Sequence, residues 1–555
     1  MKVIGMEIRG LHEAAYVLAI FALVSLILAL IRDKLLAFSF GAGNILDLYY
    51  AAFRIPDFIF ASIASLASAS ILLPFFIDRF GKSDEEGKSF SDSIFTVFFA
   101  VMAVVSVIVF FLAPYIVPIV LPGFKAQPAE LHILIASVRI MLLSPFFLGL
   151  SNLFSSLTQT RHRFLVYAAS PVVYNISIIL AVVFAYPKFG IQGLAMGVAL
   201  GAFLHMAIQI PFMSYEGFMP KFTRMINWKI MRNIVTTALP RTVTLGANQL
   251  ASFVLVSLAS LMAIGSISVF NFAFNLQSVS LTLIGASYSS AVFPTLSKLY
   301  YENKISEFLE KMITAARHII FWSMPLTVLF VVLRAQIVRT VLGAGEFNWA
   351  DTRLTAAMLA LFTISTIGQS LIILFVRGFY AEGKTSKPLV INAISAVTIV
   401  ILAYGLDKAF FAFPTFRFFL EDLLKVGGQA GTSVLVLALA YSIGVILNTI
   451  LHWVSFERSY KGFTRPVFST LFHSFAASVV MGYAAYLSLQ IFAATFPLYK
   501  VWGVFLQGLC AGLIGLVVLV LTLRILENKE LVEVTRTLHR KFWKAAVPPA
   551  EVEHL

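Results

Sequence analysis

The chain has 555 residues, of which 59% are hydrophobic and only 12% are charged, and its mean hydropathy is +0.91. A soluble domain carries about 25% charged residues, so this composition excludes a water-soluble globular protein. The apolar stretches are continuous over about 20 residues, which predicts membrane-spanning helices and not the short alternating strands of a β-barrel. The single cysteine, Cys510, excludes an intramolecular disulfide and a cysteine metal cluster.

The first apolar stretch extends over residues 14–31, after the basic residues Lys2 and Arg9. It is followed by Arg-Asp-Lys and not by a small-residue cleavage site, so we interpret it as an uncleaved first span. Similar stretches recur along the chain and predict about fourteen transmembrane helices. The predicted spans are 14–31, 46–77, 93–115, 131–157, 164–186, 190–214, 231–262, 266–296, 317–338, 354–376, 388–406, 431–456, 466–492 and 501–526.

The basic residues are distributed unevenly between the loops. Of the 41 lysines and arginines, 27 lie at the termini and in every second loop, 11 lie in the opposite loops, and the remaining three lie within spans. Basic residues favour cytoplasmic loops, so this asymmetry predicts that both termini are cytoplasmic. It also accounts for the net charge of +14 without nucleic acid as a partner.

The second and eighth predicted spans are similar to each other. At an offset of 221 residues Ala52 aligns with Ala273 and Phe53 with Phe274, and a second pair of segments aligns at an offset of 224. These offsets cover six helices, an even number, so the two copies have the same orientation in the membrane, as parallel repeats do. The sequence therefore predicts an all-α membrane protein with two six-helix lobes and two extra C-terminal helices. The predicted boundaries are 1–220, 221–456 and 457–527, followed by a basic cytoplasmic tail over 528–555.

Charged residues at bilayer depth are informative because each costs roughly 3 kcal/mol or more. Arg54 lies on the second span, where it either contacts substrate or pairs with Asp57 or Asp47. Arg139 lies near the end of its span, where its long stem allows the charge to reach the interface. Arg32 ends the first span, and we expect it to pair with Asp47 and close an outer gate.

Arg241 follows Pro240 within a polar part of the seventh span. Proline and amides at that depth predict a broken helix that lines a wet cavity. The planar guanidinium donates two parallel hydrogen bonds, so more buried arginine than carboxylate predicts an anion site, and phosphate fits it best. Polar candidates for the lining, each of which alone more often makes an ordinary interhelical bond, are Asn248, Gln249, Asn271, Asn275, Gln277, Asn392 and Asn448.

Motifs of catalysis are missing from the sequence. It contains no aspartate cluster for a metal–diphosphate enzyme and no serine nucleophile motif, and the Gly383-Lys384-Thr385 run lacks the upstream glycine of a P-loop. The histidines show no metal-ligand spacing. We therefore expect a protein that is not an enzyme and has no cofactor or metal.

The segment from Arg32 to Asp57 reads R-D-K-L-L-A-F-S-F-G-A-G-N-I-L-D-L-Y-Y-A-A-F-R-I-P-D. It closely resembles the start of the MurJ/MviN family, the lipid II flippases of peptidoglycan synthesis in the multidrug/oligosaccharidyl-lipid/polysaccharide exporter superfamily. Weaker similarities follow at R-I-M-L-x-x-P-F from Arg139 and at F-P-T-L-S-K from Phe293. The residues that match the first motif are Arg32, Gly41, Gly43, Asp47, Arg54 and Pro56.

The chain also departs from the pattern of that family. Leu26 and the Phe60-Ala61 pair stand where the family usually has arginines, Ser65 replaces a glutamate, and Asn275 replaces the arginine of the eighth span. The resemblance implies that those arginines hold a lipid diphosphate. We expect Arg241 to substitute for one of them.

The resemblance implies a flippase that carries lipid II from the cytoplasmic to the outer leaflet of a bacterial inner membrane by alternating access. The expected partners are the anionic lipid-linked precursor, membrane lipids and cell-wall synthesis proteins, and the expected driving force is the membrane potential or Na⁺. Four alternatives remain: a flippase for another polyprenyl-diphosphate glycan, a multidrug exporter, a non-transporting scaffold and a membrane enzyme. The expected substrate-binding residues are Arg32, Asp47, Arg54, Arg241 and Asn275.

Overall fold

A computed structural model describes residues 11–160 and 164–542 of the chain. Side chains are described in these ranges except at 11–17, 65, 69–70, 164, 237–238, 240–241, 243–248 and 537–542. Every regular element in the described ranges is helical, and no β-strand occurs there. The predicted all-α fold is confirmed.

The described residues form twelve α-helices in the first half of the chain and twelve more in the second. The first set is α1 Leu11–Phe40, α2 Asn44–Ala52, α3 Arg54–Ser62, α4 Ala69–Lys82, α5 Asp84–Val120, α6 Pro128–Met141, α7 Leu143–Thr160, α8 Phe164–Leu180, α9 Tyr186–Phe189, α10 Ile191–Ala207, α11 Ile210–Tyr215 and α12 Trp228–Ala259. The second set is α13 Ser266–Ser280, α14 Ser287–Tyr301, α15 Ile305–Val332, α16 Arg334–Val341, α17 Trp349–Ile364, α18 Thr366–Ala381, α19 Ser386–Ala412, α20 Pro414–Leu424, α21 Leu435–Ser459, α22 Thr464–Ala493, α23 Val501–Ile525 and α24 Lys529–Phe542. Short π-helical segments, Ala181–Ala185 and Leu281–Ala286, continue α8 into α9 and α13 into α14.

Ten helices of the described residues are long and apolar enough to cross a membrane, and the bent pair of α17 and α18 makes eleven if it counts as one span. The remaining predicted spans coincide with α1, with the series α2 to α4, and with α12. The predicted count of about fourteen is therefore compatible with the structure. The chain is an all-α multi-pass membrane protein.

The second predicted span is not one continuous helix. It is divided into α2, α3, the 3₁₀ turn Ala64–Ala67 and α4. The first break, at Phe53, follows from Pro56, which has no N–H to donate to the carbonyl four residues earlier and whose ring crowds that carbonyl. The break separates Asp47 on α2 from Arg54 at the start of α3, so that the two charges are carried by different helices.

The break predicted at Pro240 is absent, because the α12 backbone is helical from Trp228 to Ala259. A proline within a membrane helix is tolerated where neighbouring groups satisfy the freed carbonyl. The side chains of Pro240 and Arg241 lie outside the described residues.

The described residues form two compact units that alternate along the chain. The first contains those of Met1–Asn275, Val341–Met358 and Thr385–Gly444, and the second contains those of Leu276–Thr340, Leu359–Lys384 and Val445–Leu555. The six-helix lobes inferred from the repeat stay a prediction.

Small residues set the spacing of α8 and α10 in the first unit. Gly193, Gly197 and Gly201 recur every four residues along α10, and a Cβ on Gly197 would lie 2.1 Å from the Cβ of Ala181. Membrane helices approach closely through such small-residue patterns. This contact fixes α8, which carries Tyr174 and Asn175.

A buried charge fixes the C-terminal helix α24 in the second unit. Glu530 is 2% exposed, and its Oε1 accepts hydrogen bonds from Arg317 Nε at 2.7 Å and Thr470 Oγ1 at 2.6 Å. Leu531 and Val534 pack against a cluster that contains Phe321 and Leu523. Burial alone would raise the pKa of the Glu530 carboxyl, but the hydrogen bonds from Thr470 and Arg317 outweigh it and hold that pKa below the ordinary 4.5.

Glu530→Gln should loosen α24, because it removes a charge-assisted bond that contributes about 1.5–3 kcal/mol. Hydrogen exchange of the α24 amides should accelerate, whereas the exposed Glu527→Gln should leave it unchanged. Because the folded-state pKa is lowered, the contribution is fully present above pH 4.5 and is lost as the pH falls through the folded-state value. Equal exchange in wild type and Glu530→Gln at neutral pH would show that this bond does not hold the helix.

Candidate functional site

A cavity of about 320 Å³ lies within the first unit. Helices α1, α2, α3, α8, α12 and α13 contribute to its wall. Among the described residues, two arginines, one carboxylate, several amides and six aromatic rings face it, so the wall combines hydrogen-bond donors with apolar surface. The lining residues are Arg32, Leu36, Tyr49, Tyr50, Phe53, Arg54, Asp57, Tyr174, Gln249, Ser252, Phe270, Asn271, Phe274 and Asn275.

Arg32 is held by its neighbour on α1 and by α8. Its Nε and Nη2 lie 2.9 and 2.8 Å from Asp33 Oδ1, and its Nη1 donates to Asn175 Oδ1 at 3.0 Å. The Asn175 amide in turn donates to Ser25 Oγ at 3.3 Å. Asp33 is 5% exposed, and its second oxygen accepts from Asn275 Nδ2 at 3.1 Å. Arg32, Asp33 and Asn275 therefore form a chain of contacts from α1 to α13.

Arg54 has only uncharged partners among its hydrogen bonds. It is 7% exposed, its Nη2 donates to Asn271 Oδ1 at 2.5 Å, and its Nε donates to the Tyr50 carbonyl at 3.3 Å. Asn271 is oriented by its own bond to the Ile267 carbonyl at 2.7 Å. Arg54 therefore binds an amide and a carbonyl. Neither Asp47 nor Asp57, the carboxylates expected in a structural pairing, is among its hydrogen-bond partners.

Asp47 caps the N-terminus of α13 from another helix. Its Oδ2 accepts from the Gly265 amide at 2.6 Å, and its Oδ1 accepts from the Ser268 amide at 2.8 Å and from Ser268 Oγ at 2.6 Å. The first N–H groups of a helix lack intrahelical partners and carry partial positive charge, so a carboxylate is stabilised there. The predicted Arg32–Asp47 pair is wrong, because Arg32 binds Asp33 while Asp47 binds α13.

The structure thus brings Arg32, Arg54 and Asn275 to one cavity, whereas Asp47 is not among the described lining residues and binds Ser268, three residues before Asn271 on α13. Arg241 is the fifth expected residue, and its side chain is not among those described. The charge of Arg32 is balanced by Asp33, whereas Arg54 is bonded to uncharged groups and faces the cavity beside Asp57. Among the described lining residues, Arg54 is therefore the guanidinium most available to an anion.

Sequence reasoning missed several residues of the site. Asp33 carries a usable signal, because it is the acidic residue nearest to Arg32 in the sequence. Asn175 carries a usable signal, since an amide within an apolar span needs a partner. Tyr49, Tyr50 and Tyr174 looked like ordinary packing residues, and no pattern in the sequence distinguishes them.

Asp47→Asn should weaken the cap on α13, since an amide keeps the shape but loses the charge and one acceptor. A hydrogen bond to a charged group contributes about 1.5–3 kcal/mol, so exchange of the Gly265 and Ser268 amides should accelerate by roughly 10- to 150-fold. Hydrogen-exchange mass spectrometry of the 263–270 segment measures this directly. Asp57→Asn is the matched control, because Asp57 does not bond to these amides. Unchanged exchange in Asp47→Asn would show that the cap contributes little.

Comparison with known proteins adds an independent line of evidence. The model of the family described as "Lipid II flippase MurJ" matches residues 36–505. The lipid II flippase MurJ of Burkholderia cenocepacia is 24% identical over 464 residues, which cover 82% of this chain and 85% of that protein. The probable lipid II flippase MurJ of Buchnera aphidicola subsp. Schizaphis graminum is 28% identical over 470 residues, which cover 83% and 86%.

Solved structures agree in fold. A lipid II flippase MurJ in an inward closed conformation superimposes with a TM-score of 0.73 at 22% identity, covering 92% of this chain and 99% of that one. An inward-facing multidrug resistance transporter of the MATE family, in the MOP superfamily, gives a TM-score of 0.62 at 14% identity, covering 80% and 96%. At these identities the likeness establishes the fold alone.

Proposed function

We propose that this chain, which belongs to the lipid II flippase MurJ family, moves lipid II from the cytoplasmic to the outer leaflet of a bacterial inner membrane by alternating access. Lipid II is a peptidoglycan precursor linked to undecaprenyl diphosphate. The observation that carries the proposal is the cavity whose wall contains Arg32, Arg54, Asn271 and Asn275, carried by helices that coincide with predicted spans. A guanidinium within a span is costly, and Arg54 has no carboxylate among its hydrogen bonds, so a polar ligand gives a reason to keep it.

The donors of the cavity suit a head group rich in anionic oxygen. A guanidinium presents several N–H groups in a fixed fork and keeps its charge at all physiological pH values. The side chains of Asn271 and Asn275 add an oxygen and N–H groups, and the aromatic rings supply apolar wall. In this proposal the diphosphate contacts the arginines while the prenyl tail stays in lipid.

Three contacts to one helix support the alternating-access part of the proposal. Asp47, Arg54 and Asp33 bind Ser268, Asn271 and Asn275 in turn, so each of them ties α1, α2 or α3 to α13. Opening the cavity along this helix requires that all three contacts break. A diphosphate that binds Arg54 competes with Asn271 for the same N–H groups, and ligand and conformation are thereby coupled.

The driving force and partners are proposed on general grounds. An inside-negative membrane potential favours outward movement of an anion by about 2.3 kcal/mol per charge per 100 mV. We propose this potential, or Na⁺ held by neutral oxygens, as the source of energy, with no cofactor. Cell-wall synthesis proteins are the proposed consumers of the product.

Another polyprenyl-diphosphate glycan is the second candidate substrate, because the described cavity contacts would recognise the diphosphate that both share. A non-transporting scaffold is favoured by one observation, the replacement of a family arginine by Asn275, whose amide binds Asp33. A flippase and a non-transporting scaffold differ in whether their function needs the arginines of the cavity.

Arg54→Ala should weaken binding of lipid II by about 10- to 150-fold, because it removes charge-assisted bonds that contribute about 1.5–3 kcal/mol. Arg54→Lys should retain part of the binding, since it keeps the charge and loses the fork. Native mass spectrometry with purified lipid II, alongside complementation of a conditional lipid II flippase mutant, measures both effects. Arg241→Ala and Arg241→Lys belong in the same series and decide whether Arg241 contributes to the site.

Arg139→Ala is the matched control. Arg139 lies outside the cavity lining, bonds to the Phe110 carbonyl at 3.0 Å and stacks over the Phe110 ring. Its loss should leave binding and complementation at the wild-type level. Wild-type behaviour of Arg54→Ala together with Arg241→Ala would overturn the flippase proposal and favour the scaffold.

The orientation proposed from the basic residues, with both termini cytoplasmic, predicts the labelling of three loops. In a Cys510→Ser background, single cysteines in 78–90, 216–229 and 298–316 should be shielded from an impermeant thiol reagent outside intact cells. Cysteines placed at residues 125 and 500, in opposite loops, should react. The reverse pattern would invert the topology.

A further inference from the structure

The short helix α20 presents a row of large apolar side chains to the outside of the protein. Phe413, Phe418, Phe419 and Leu423 are 64%, 58%, 63% and 61% exposed. In an aqueous loop such a row would be costly, at roughly 25 cal/mol per Å² of apolar surface. The row therefore needs an apolar environment.

The opposite face of α20 is anchored firmly. Glu421 is 2% exposed, and its Oε1 accepts from Thr432 Oγ1 at 2.6 Å and from Arg417 Nε at 2.9 Å. The end of the helix is tied by Arg353, whose Nη2 donates to the Lys425 carbonyl at 2.6 Å. Leu420 and Leu424 are buried on this face. The exposed row is therefore a fixed feature, and not a result of a loosely held loop.

The exposed row continues a lipid-facing row on the preceding helix. Along α19 large apolar side chains are exposed at helical spacing, at Val390, Ile394, Val397, Ile401, Tyr404 and Phe411, and the exposed Lys408 lies between the last two. Because α19 is a predicted span and is long and apolar enough to cross a membrane, this row faces lipid. Only Ala412 and Phe413 separate Phe411 from the start of α20.

The spacing of two lysines gives the depth of α20. Lys387 and Lys408 lie near the two ends of α19, and 21 residues of helix separate them by about 32 Å. That distance matches the hydrocarbon core of about 30 Å, so each lysine reaches a headgroup layer. The helix α20 begins six residues after Lys408 and therefore starts in the headgroup layer at the end of α19.

We propose that α20 is an interfacial helix that inserts its exposed row into the lipid at the membrane face where α19 ends. Amphipathic helices of this kind lie in the plane of the interface, with aromatic and leucine side chains about 5–10 Å into the boundary. Asp422 lies on the exposed face and keeps the helix at headgroup depth. Arg417 is paired with Glu421, so the insertion depends on apolar contact and does not require anionic lipid.

The test uses the full chain with Cys510→Ser, reconstituted in phosphatidylcholine vesicles. A single cysteine at Phe419→Cys carries an environment-sensitive fluorophore, and the lipids carry a quencher either near the headgroup or deep in the acyl chain. Since an interfacial helix inserts only to the boundary between headgroups and acyl chains, the quencher near the headgroup should reduce the fluorescence at least about twofold more than the deep quencher does. Addition of phosphatidylglycerol should not change this ratio. The same label at Ser306→Cys, an exposed position in the first turn of α15, should be quenched by neither lipid.

A second variant separates insertion from folding. Phe418→Ser with Leu423→Ser should reduce the quenching at position 419, while the Glu421–Thr432 hydrogen bond keeps the helix in place. Phe222→Ser removes an equally exposed apolar side chain elsewhere and should leave that quenching unchanged. Accessibility of the label to aqueous iodide in lipid vesicles would overturn the proposal, because a side chain inserted into lipid is shielded from that quencher. Shielding that appears only at high protein density would overturn it in favour of a second copy of the chain.

Discussion

The candidate site depends on one interaction, the capping of α13 by Asp47. The carboxylate accepts from two backbone amides and one hydroxyl at the start of that helix, and so it fixes where α13 begins and which way its side chains face. Asn271 and Asn275 follow Ser268 at steps of three and four residues, which places all three on one helix face. The same face therefore meets Asp47, Arg54 and Asp33 in succession.

This arrangement satisfies the constraint that lipid imposes on polar groups. A charge at bilayer depth is costly unless protein groups replace water, and each of the charges around α13 has such partners. Because the partners lie on one helix, a movement of α13 as a rigid body would change all three contacts at once. Packed contacts of this kind favour discrete arrangements over gradual ones, and this is the property on which the proposed alternating access depends.

The sequence predicted the all-helical class, the membrane setting and the positions of the helices. Those features depend on hydropathy and length, which are local properties. It also marked Arg32, Arg54 and Asn275 as site residues, since charge and amide groups at depth are rare enough to be informative. Their presence in one cavity is seen only in the structure, because the sequence does not show which helices are neighbours.

The wrong expectations have specific physical causes. The Arg32–Asp47 pair was inferred from opposite charges at similar depth, but a helix N-terminus is a competing partner for a carboxylate, and Asp33 is a nearer partner for the arginine. The break at Pro240 was inferred from composition, yet Pro56 breaks its helix and Pro240 does not interrupt α12. Proline determines where a bond is missing, and the surrounding packing determines whether the helix bends there.

The replacement of a family arginine by Asn275 changes the charge balance of the whole cavity. An arginine at that position would face Asp33 and compete with Arg32 for it, whereas the neutral amide leaves the full charge of Asp33 to Arg32. Arg32 then serves to hold α1 against α8, and Arg54 has no carboxylate among its hydrogen-bond partners. The cavity guanidinium that has no carboxylate among its hydrogen bonds therefore lies on α3, directly beyond the break that Pro56 creates, where a small rotation of the short helix would move Arg54 and Asp57 together.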